Sequence, residues 1–239
     1  MLKEEREIEG DPWRRKLLSI QEQVAQCWAP PLERRDAAEH RRHILDVARR
    51  LFAERGVDDV SMHGIARAAS VGQGTLYRRY AHKGALCMDL LADGVTRFQD
   101  DVRAYLSSND ARTPALDLLD AVLGRLVAFN EENGQLLGAV VDAACGDRRT
   151  SMYGSPLYRW AHATIQAMLE SAVAAGECAP LDAPYTADAM LAALTIDLYT
   201  YQRHELGYSP ERITQALRRL YRDGLRGAAP ATARLAHDH

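Results

Sequence analysis

The sequence lacks the features that mark exported, membrane-spanning and disulfide-stabilised proteins. Its apolar runs stay well short of the roughly 20 residues that cross a bilayer, and it begins with the charged stretch MLKEEREIEGDPWRRK rather than with a signal peptide. No C-x-x-C pair occurs, so we interpret the cysteines as reduced thiols; a redox-sensing cysteine is the alternative. These absences favour a cytoplasmic protein. The cysteines are Cys27, Cys87, Cys145 and Cys178.

The chain also lacks the short motifs of common enzymes. It contains no H-E-x-x-H, no G-x-S-x-G, no phosphate-binding loop and no G-x-G-x-x-G. His162 and His204 lie near carboxylates in the sequence, but without the spacing of a helical metal site. We interpret Asp197 as a residue on the exposed face of a buried helix; the alternative is a buried carboxylate, which would need a partner. The sequence therefore predicts no catalytic residue, no metal and no cofactor.

Strand patterns are absent as well, because no segment alternates apolar and polar residues over enough positions. Helical periodicity runs through most of the 239 residues instead. Apolar residues make up 47% of the chain and charged residues 26%, which is ordinary for a globular protein with a substantial core. We therefore predict an all-α fold.

Positive charge is concentrated in one part of this chain, whose net charge is −3. Residues 34–83 contain 11 basic and 6 acidic side chains, a net charge of +5, whereas residues 84–239 contain 14 basic and 20 acidic ones. A basic segment in an acidic chain is typical of a protein that presents one surface to nucleic acid. A solvated arginine-rich face is the alternative.

The most informative stretch is residues 61–83, SMHGIARAASVGQGTLYRRYAHK. It predicts two short helices joined by a tight turn. Ser61 is a favourable N-cap for the first helix, and Gly72 supplies backbone freedom in the turn. The second helix turns Leu76 and Tyr80 inward at i, i+4 spacing. This is a helix-turn-helix, and its second helix is suited to the major groove of DNA.

Residues 42–91 closely resemble the DNA-binding domain of TetR-family transcriptional regulators, over about a fifth of the chain. One departure is the pair Gln73-Gly74, where many members have Ser-Lys or a similar pair, so the resemblance does not imply an operator sequence. The matching residues are Ile44-Leu45, Ala48, Leu51-Phe52, Gly56, Val60-Ser61, Ile65-Ala66, Ala69, Val71, Gly74-Thr75-Leu76-Tyr77, Tyr80, Lys83 and Leu86.

This resemblance implies a three-helix DNA-binding head and a larger helical body for ligand binding and dimerisation. It also implies a fourth helix, beginning near Ala85, that links the head mechanically to the body. We expect an N-terminal extension at 1–33, a helix-turn-helix domain at 34–84, a ligand-binding and dimerisation domain at 85–228, and a flexible tail at 229–239.

Several outward side chains of the helix-turn-helix can bind DNA. Gln73 can pair bidentately with adenine, and Thr75 can meet a thymine methyl group or a phosphate. Arg78 and Arg79 are either guanine readers or phosphate clamps, and the resemblance favours the backbone for Arg79. Ser61 combines capping with a phosphate contact.

The resemblance adds three further DNA-binding candidates. It places Tyr77 and Lys83 on the phosphate backbone. It places His63 where some members have a base-reading side chain; a solvated surface histidine is the alternative.

The N-terminal extension predicts an extra amphipathic helix that begins at Asp11-Pro12 and stops at Pro30-Pro31. Two tryptophans on one apolar stripe favour packing on the body or on a partner chain. A membrane-surface role is the alternative, and a start codon placed too early would also produce such an extension. The stripe consists of Trp13, Leu17, Ile20, Val24, Cys27 and Trp28.

The body predicts helices separated by caps and breakers, with Leu220 among the inward residues of the last helix. The expected elements are a helix from Thr113-Pro114 to Asn133-Gly134, a shorter helix over 135–145, a helix from Ser155-Pro156, a helix over 187–206 capped by Thr186, and a last helix from Ser209-Pro210.

Apolar space inside this body is where we expect an effector to bind. The side chains available there favour an apolar or aromatic ligand, although each of them could equally belong to the plain core. Tyr199 and Tyr201 offer polar groups to a ligand or lie in a dimer interface. The candidate ligand-binding residues are Phe98, Tyr105, Phe129, Val141, Met152, Trp160, Ile165, Met168 and Tyr199.

The resulting hypothesis is a homodimeric repressor in which helices at about 187–206 and 210–226 form a four-helix bundle with those of a second copy. A two-fold dimer implies a palindromic operator, with recognition helices about 34–36 Å apart when bound. A ligand would release the DNA by changing that separation. The alternatives are an activator, a DNA-binding dimer without a ligand, and an enzyme or binding protein that keeps the head as an inert scaffold.

Overall fold

A computed structural model describes residues 35–109, 112–144 and 153–227. Across these ranges all regular secondary structure is helical, which confirms the predicted all-α fold. No helix within them is both long and apolar enough to cross a membrane. The predicted N-terminal helix, the C-terminal tail, Cys27, Cys145 and Met152 lie outside the described residues.

Ten α-helices and one π-helical segment make up the described chain. They are α1 Arg35–Arg55, α2 Met62–Ala68, α3 Gln73–Arg79, α4 Lys83–Ser108, α5 Ala115–Ala143, α6 Pro156–Ala174, α7 Ala183–Ala192, α8 Ile196–His204, α9 Pro210–Leu217, the π segment Arg218–Asp223, and α10 Gly224–Gly227.

These elements pack into two compact units. We call residues 35–97, 133–144 and 153–155 the head unit, and residues 98–109, 112–132 and 156–227 the body unit. The long helices α4 and α5 each contribute residues to both units.

The core of the head unit is built from the apolar stripes that the sequence predicts. Ile44, Ala48 and Phe52 of α1 are buried, as are Ile65 of α2 and Leu76 of α3. The first helix ends at Gly56, whose φ of +80° requires the backbone freedom that glycine has. The cap on α2 is confirmed, since the Ser61 hydroxyl accepts a hydrogen bond from the backbone N–H of Gly64 at 3.1 Å.

The turn of the helix-turn-helix differs from the prediction in one detail. Gly72 has an ordinary extended conformation (φ −63°, ψ 139°) and acts as the N-cap of α3. The left-handed residue is Ser70, with φ of 54°, directly after the last residue of the α2 cap. The N–H of Val71 then closes the turn on the carbonyl of Ala66 at 3.0 Å. The positive φ therefore falls on the position where a helix C-terminus commonly needs it.

The predicted break at Asn133-Gly134 is wrong, because α5 runs through it as one helix of 29 residues. The separate helix expected at 135–145 is the end of α5. Phe129 before the expected break and Val140 after it are both buried. Tertiary packing on both sides thus outweighs the roughly 1 kcal/mol that glycine costs inside a helix.

The prediction for residues 187–206 is also wrong in two respects. The helix begins four residues earlier, where the Asp182 side chain accepts from the N–H of Tyr185 at 3.1 Å and a proline occupies the first turn. It is then interrupted between α7 and α8. The buried Asn130 donates from Nδ2 to the carbonyl of Leu194 at 2.8 Å, so a tertiary hydrogen bond satisfies the backbone at the interruption.

The last helix begins as predicted, with the Ser209 hydroxyl accepting from the N–H of Arg212 at 3.2 Å. Ile213 and Leu217 are buried, but Leu220 is 65% exposed, so the prediction that it points inward is wrong. The π segment explains the difference, because its wider turn shifts every later side chain around the helix axis.

Candidate nucleic-acid interface

The α2–α3 surface of the head unit exposes six of the eight predicted DNA-binding side chains. Tyr77 is 49% exposed, and its outward position contrasts with the buried Leu76 beside it. Arg79 and Lys83 are half-buried. The exposed six are Ser61, His63, Gln73, Thr75, Tyr77 and Arg78.

Two contacts organise the side chains on this exposed surface. The amide Nε2 of Gln73, the first residue of α3, contacts Nδ1 of His63 on α2. One turn further along, Arg78 donates from Nη2 to the hydroxyl of Thr75 at 3.1 Å. When the Gln73 amide donates one N–H to His63, its oxygen and its second N–H remain available for a base edge. One acceptor and one donor side by side is the pattern that pairs with adenine.

The two half-buried cations are held by backbone carbonyls. Lys83 donates from Nζ to the carbonyls of Val57 and Asp58 at 2.7 and 3.2 Å. Arg79 donates from Nη2 to the carbonyl of Ala37 at 3.3 Å. These contacts place both cations beside α1 and the segment that follows it, and their phosphate contacts stay predictions.

A carboxylate that sequence reasoning missed fixes the end of the recognition helix α3. Tyr80, the C-cap residue of α3, donates from its hydroxyl to Asp89 at 2.6 Å. Arg41 of α1 donates to the same carboxylate from Nε at 2.8 Å and from Nη2. Asp89 lies on α4, so one side chain connects α1, α3 and α4. The only sequence signal for it was a tyrosine hydroxyl on an inward position, which must find a partner when buried.

This network shifts the pKa values of its members. Burial alone would raise the pKa of Asp89, but the hydrogen bonds from Arg41 and Tyr80 outweigh it and hold that pKa below its ordinary value. Burial, together with the hydrogen bond to Asp89, raises the pKa of Tyr80. Asp89 therefore stays ionised, and Tyr80 stays a donor, throughout the physiological pH range.

The body unit brings together part of the predicted ligand site. The rings of Phe98 and Phe129 lie 4.8 Å apart between centroids, and the edge of Trp160 meets Phe98 at 5.5 Å. Ile165 and Met168 are buried on the same helix as Trp160. Val141 belongs to the head unit instead, and Met152 lies outside the described residues.

The two tyrosines of the ligand prediction have polar partners within the body unit. Tyr199 is buried and donates from its hydroxyl to Glu131 at 2.7 Å, where Arg203 also donates from Nε at 2.7 Å. The hydrogen bond from Arg203 lowers the pKa of Glu131 to about 2, against its burial. Tyr105 is half-buried under the guanidinium of Arg125, 3.9 Å from the ring centroid.

An open groove of about 450 Å³ lies between α5 and α9 of the body unit. Its walls include Val127, Ala128 and Thr214, together with three carboxylates, those of Glu131, Glu132 and Glu211. Of the predicted ligand-binding residues that the structure describes, none lines this groove.

Taken together, the short α2 and α3, the tight turn between them and the exposed polar face of α3 define a helix-turn-helix protein. The sequence model of the bacterial regulatory proteins of the tetR family matches residues 44–88. That range runs from the third turn of α1 to the second turn of α4.

Relatives with curated descriptions give the same result. An HTH-type transcriptional regulator of Staphylococcus aureus (strain USA300) is 31% identical over 133 residues, which is 53% of this chain. The chain spans 65% of that relative's length.

Solved structures share the fold at lower identity. The fatty acid degradation regulator FadR from Bacillus halodurans is 18% identical, with a TM-score of 0.56 over 78% of this chain and 96% of its own. AibR, solved in complex with isovaleryl coenzyme A and operator DNA, is 19% identical, with a TM-score of 0.53 over 76% of this chain and 98% of its own.

Residues 44–88 are thus similar to the tetR family of bacterial regulatory proteins, and the fold is shared with solved regulators of that kind. This match confirms the predicted resemblance of the segment, and the relatives are described as transcriptional regulators, in line with the expectation of a regulator rather than an enzyme. The roles of the individual DNA-binding and ligand-binding residues stay predictions.

Proposed function

We propose that the protein is a transcriptional repressor that binds a palindromic operator as a homodimer and is released by a small apolar or aromatic molecule. The observation that supports this most directly is the exposed α2–α3 face, which presents polar and basic side chains over a buried helix-turn-helix core. The net charge of +5 over residues 34–83 favours the approach of DNA to this part of an otherwise acidic chain.

Each exposed side chain of that face has a role in this proposal. Gln73, held by His63, reads an adenine edge in the major groove, and Thr75 contacts a thymine methyl group or a phosphate. Tyr77 and Arg78 bind phosphates, and Ser61 adds a contact at the N-terminus of α2. Lys83 and Arg79 lie behind them and turn to the phosphate backbone when DNA is present.

The dimer is supported by apolar side chains that the body unit leaves uncovered. Leu198 and Tyr201 of α8, Leu206 after it and Leu220 of the π segment are all exposed. A second copy that covers them would remove their apolar surface from water. The two-fold symmetry of such a dimer requires an operator with two half-sites.

The effector is proposed to bind around the aromatic cluster of Phe98, Phe129 and Trp160. AibR, which shares this fold, is solved with both isovaleryl coenzyme A and operator DNA, so one fold accommodates both ligands in that protein. The effector acts through its differential affinity for the released and the DNA-bound conformations. We propose that α4, which contributes to both units, transmits the change, and that the protein acts in the cytoplasm.

The test is fluorescence anisotropy with DNA from the gene's own upstream region, measured across a salt series. We expect site-specific binding whose log affinity falls linearly with log salt concentration. Arg78→Ala should weaken binding and lower the salt slope by about 1 per protomer, because one phosphate contact is lost. Arg103→Ala, which removes an exposed arginine of the body unit, is the matched control and should leave the slope unchanged.

The alternatives give different results in the same experiment. Binding that is weak and indifferent to sequence contradicts the proposed repressor and favours an inert head. A reporter gene whose transcription rises with the protein present identifies an activator. Tight binding that no compound in a broad apolar and aromatic set releases identifies a DNA-binding dimer without a ligand.

A further inference from the structure

Three polar side-chain atoms in the body unit are buried and have no hydrogen-bond partner among the residues that the structure describes. They are Nε1 of Trp160, Oγ1 of Thr164 and Nε2 of Gln99. Trp160 is 1% exposed and Thr164 is 0% exposed, so water in the bulk does not reach either side chain. Native proteins pair nearly all such atoms, and an exception needs a physical explanation.

Two of the three atoms lie on the same helix of the body unit. Trp160 and Thr164 are one turn apart on α6, which puts both side chains on its buried face. The Trp160 ring packs edge-on against Phe98 of α4, and Gln99 is the next residue of that helix. The unpaired atoms of Trp160 and Thr164 therefore lie on the face of α6 that meets the aromatic cluster, and Gln99 belongs to the helix that contributes Phe98.

The chemistry of these atoms limits what can pair with them. An indole N–H can only donate a hydrogen bond, an amide nitrogen can only donate, and a threonine hydroxyl can do both. A ligand that satisfies them must present acceptor atoms. The neighbouring side chains are apolar, since Phe98 packs against Trp160 and Phe129, and Ile165 and Met168 are buried on α6. Such an environment penalises a full charge without a counter-ion.

We propose that the effector is a neutral, mainly apolar molecule with a carbonyl-type oxygen, and that this oxygen accepts hydrogen bonds from Trp160 and Thr164, with Gln99 as a further donor. This inference rests on the proposed function, because it names the chemical class of the molecule that releases the DNA. It adds polar anchors to a site for which the sequence indicated only apolar lining. Trp160 and Thr164 are then ligand-binding residues whose unpaired state in the free protein is the cost of recognising the effector.

The first experiment measures the melting temperature of the free protein with Thr164→Val, a substitution of nearly equal shape. Removing an unpaired buried hydroxyl should raise the melting temperature by about 2–4 °C. The matched control is Thr214→Val, because that hydroxyl already donates to the carbonyl of Pro210 at 2.9 Å, and it should give no increase. A lower melting temperature for Thr164→Val would mean that the hydroxyl is paired in solution, and it would overturn the proposal.

The second experiment uses two probes of the same shape, acetophenone and α-methylstyrene, which differ in a C=O and a C=CH₂ group. In ¹H–¹⁵N spectra of the full chain, the Trp160 indole signal is assigned by its absence in Trp160→Phe. We expect acetophenone to shift this signal downfield and to raise the melting temperature, and α-methylstyrene to do neither to the same extent. Thr164→Val should reduce the affinity for acetophenone about 5- to 10-fold and leave that for α-methylstyrene unchanged.

Equal effects of the two probes, or no effect of acetophenone on the indole signal, would overturn the proposal. Both experiments use the protein without DNA. Their failure is therefore distinguishable from a failure of the proposed function, which would appear as the absence of site-specific operator binding by the unmodified chain.

Discussion

Gln73 and His63 form a pair in which one side chain sets the orientation of the other. A free glutamine amide can present either its oxygen or its nitrogen to a base, whereas the contact with His63 fixes one of these orientations. In the proposed complex with DNA, base discrimination by Gln73 thus depends on a residue of α2 that need not touch the base. The family resemblance suggested His63 as a base reader itself, and the contact with Gln73 gives it a second way to act.

We predict that His63→Ala lowers the preference for adenine over guanine opposite Gln73 by about 5- to 10-fold, since a good bidentate contact gives ~1–3 kcal/mol of discrimination. The overall affinity at low salt should change less, because phosphate contacts dominate it. Binding to a library of half-site variants measures both quantities. Gln73→Ala is the reference that removes the preference altogether; an unchanged preference in His63→Ala would refute the pairing role.

Asp89 acts on the recognition helix from outside the DNA-binding surface. We expect Asp89→Asn to reduce the free energy of unfolding by about 1.5–3 kcal/mol, because hydrogen bonds to a charged group are lost between three helices. Tyr80→Phe should cost less, since the Arg41–Asp89 pair remains. Urea unfolding followed by circular dichroism measures the free energy of unfolding of both variants. An equal decrease in the two would show that the hydrogen bond from Tyr80, and not the pair with Arg41, accounts for the stabilisation by Asp89.

Glu131 predicts a pH dependence of stability. Its pKa is lowered to about 2 in the folded protein, chiefly by the hydrogen bond from Arg203, so its contribution is complete above its ordinary pKa of 4.5 and is lost as the pH falls towards 2. Glu131→Gln should therefore melt below the unmodified protein at pH 7, and the difference should shrink between pH 4.5 and pH 2. A difference that is the same at pH 7 and pH 2.5 would contradict the ion pair with Arg203.

At the scale of the helices, Gly84 at the start of α4 marks a close approach within the head unit. A Cβ at this position would lie 2.4 Å from the Cβ of Ala143 and 2.9 Å from the carbonyl oxygen of Ala139 on α5. Any side chain here must push the end of α5 away from the beginning of α4.

Gly84→Ala should therefore destabilise the protein by about 1–3 kcal/mol, the usual cost of overpacking. Gly138→Ala, on α5, is the matched control. A Cβ there meets no atom within 4 Å, and alanine should stabilise α5 by about 0.5–1 kcal/mol. Thermal unfolding of the two variants should give shifts of opposite sign.

The sequence predicted elements well where local signals and packing agree. The caps at Ser61 and Ser209 and the buried stripe of α1 are present because each depends on neighbours within one turn of helix. The continuity of α5 and the interruption at Leu194 depend on partners far along the chain. Asn130 is 64 residues from the carbonyl that it binds, and no local pattern indicates that contact.

The same distinction applies to the candidate site. The exposed side chains of α3 follow from helical periodicity, so they could be predicted, and the resemblance gave them roles. The network of Asp89 with Arg41 and Tyr80 joins residues 48 and 9 positions apart, and the unpaired atoms of Trp160 and Thr164 are visible only when their surroundings are known. Periodicity gives the face of a helix but not the partner across from it.

At the scale of the whole molecule, the proposed dimer makes a prediction about operator binding. Leu220→Glu places a charge on a side chain that is 65% exposed in the single chain and covered in the proposed interface. We expect this variant to be monomeric by light scattering at concentrations where the unmodified protein is dimeric, with operator affinity at least 100-fold lower. Tyr153→Glu changes an exposed apolar residue of the head unit, 54% accessible, and should remain dimeric.

The head unit is built from two separate segments of the chain, and this has a consequence for gene recombination. The predicted DNA-binding residues all lie between Ser61 and Lys83, but the unit that holds them also includes residues 133–144. There, Gln135 accepts a hydrogen bond from the N–H of Val57 at 3.1 Å. A crossover that exchanged only the first part of the gene would join a foreign helix-turn-helix to an α5 terminus shaped for Val57 and Gly84. Chimeric regulators with a new operator specificity should therefore be built from two exchanged segments, residues up to 97 together with residues 133–144.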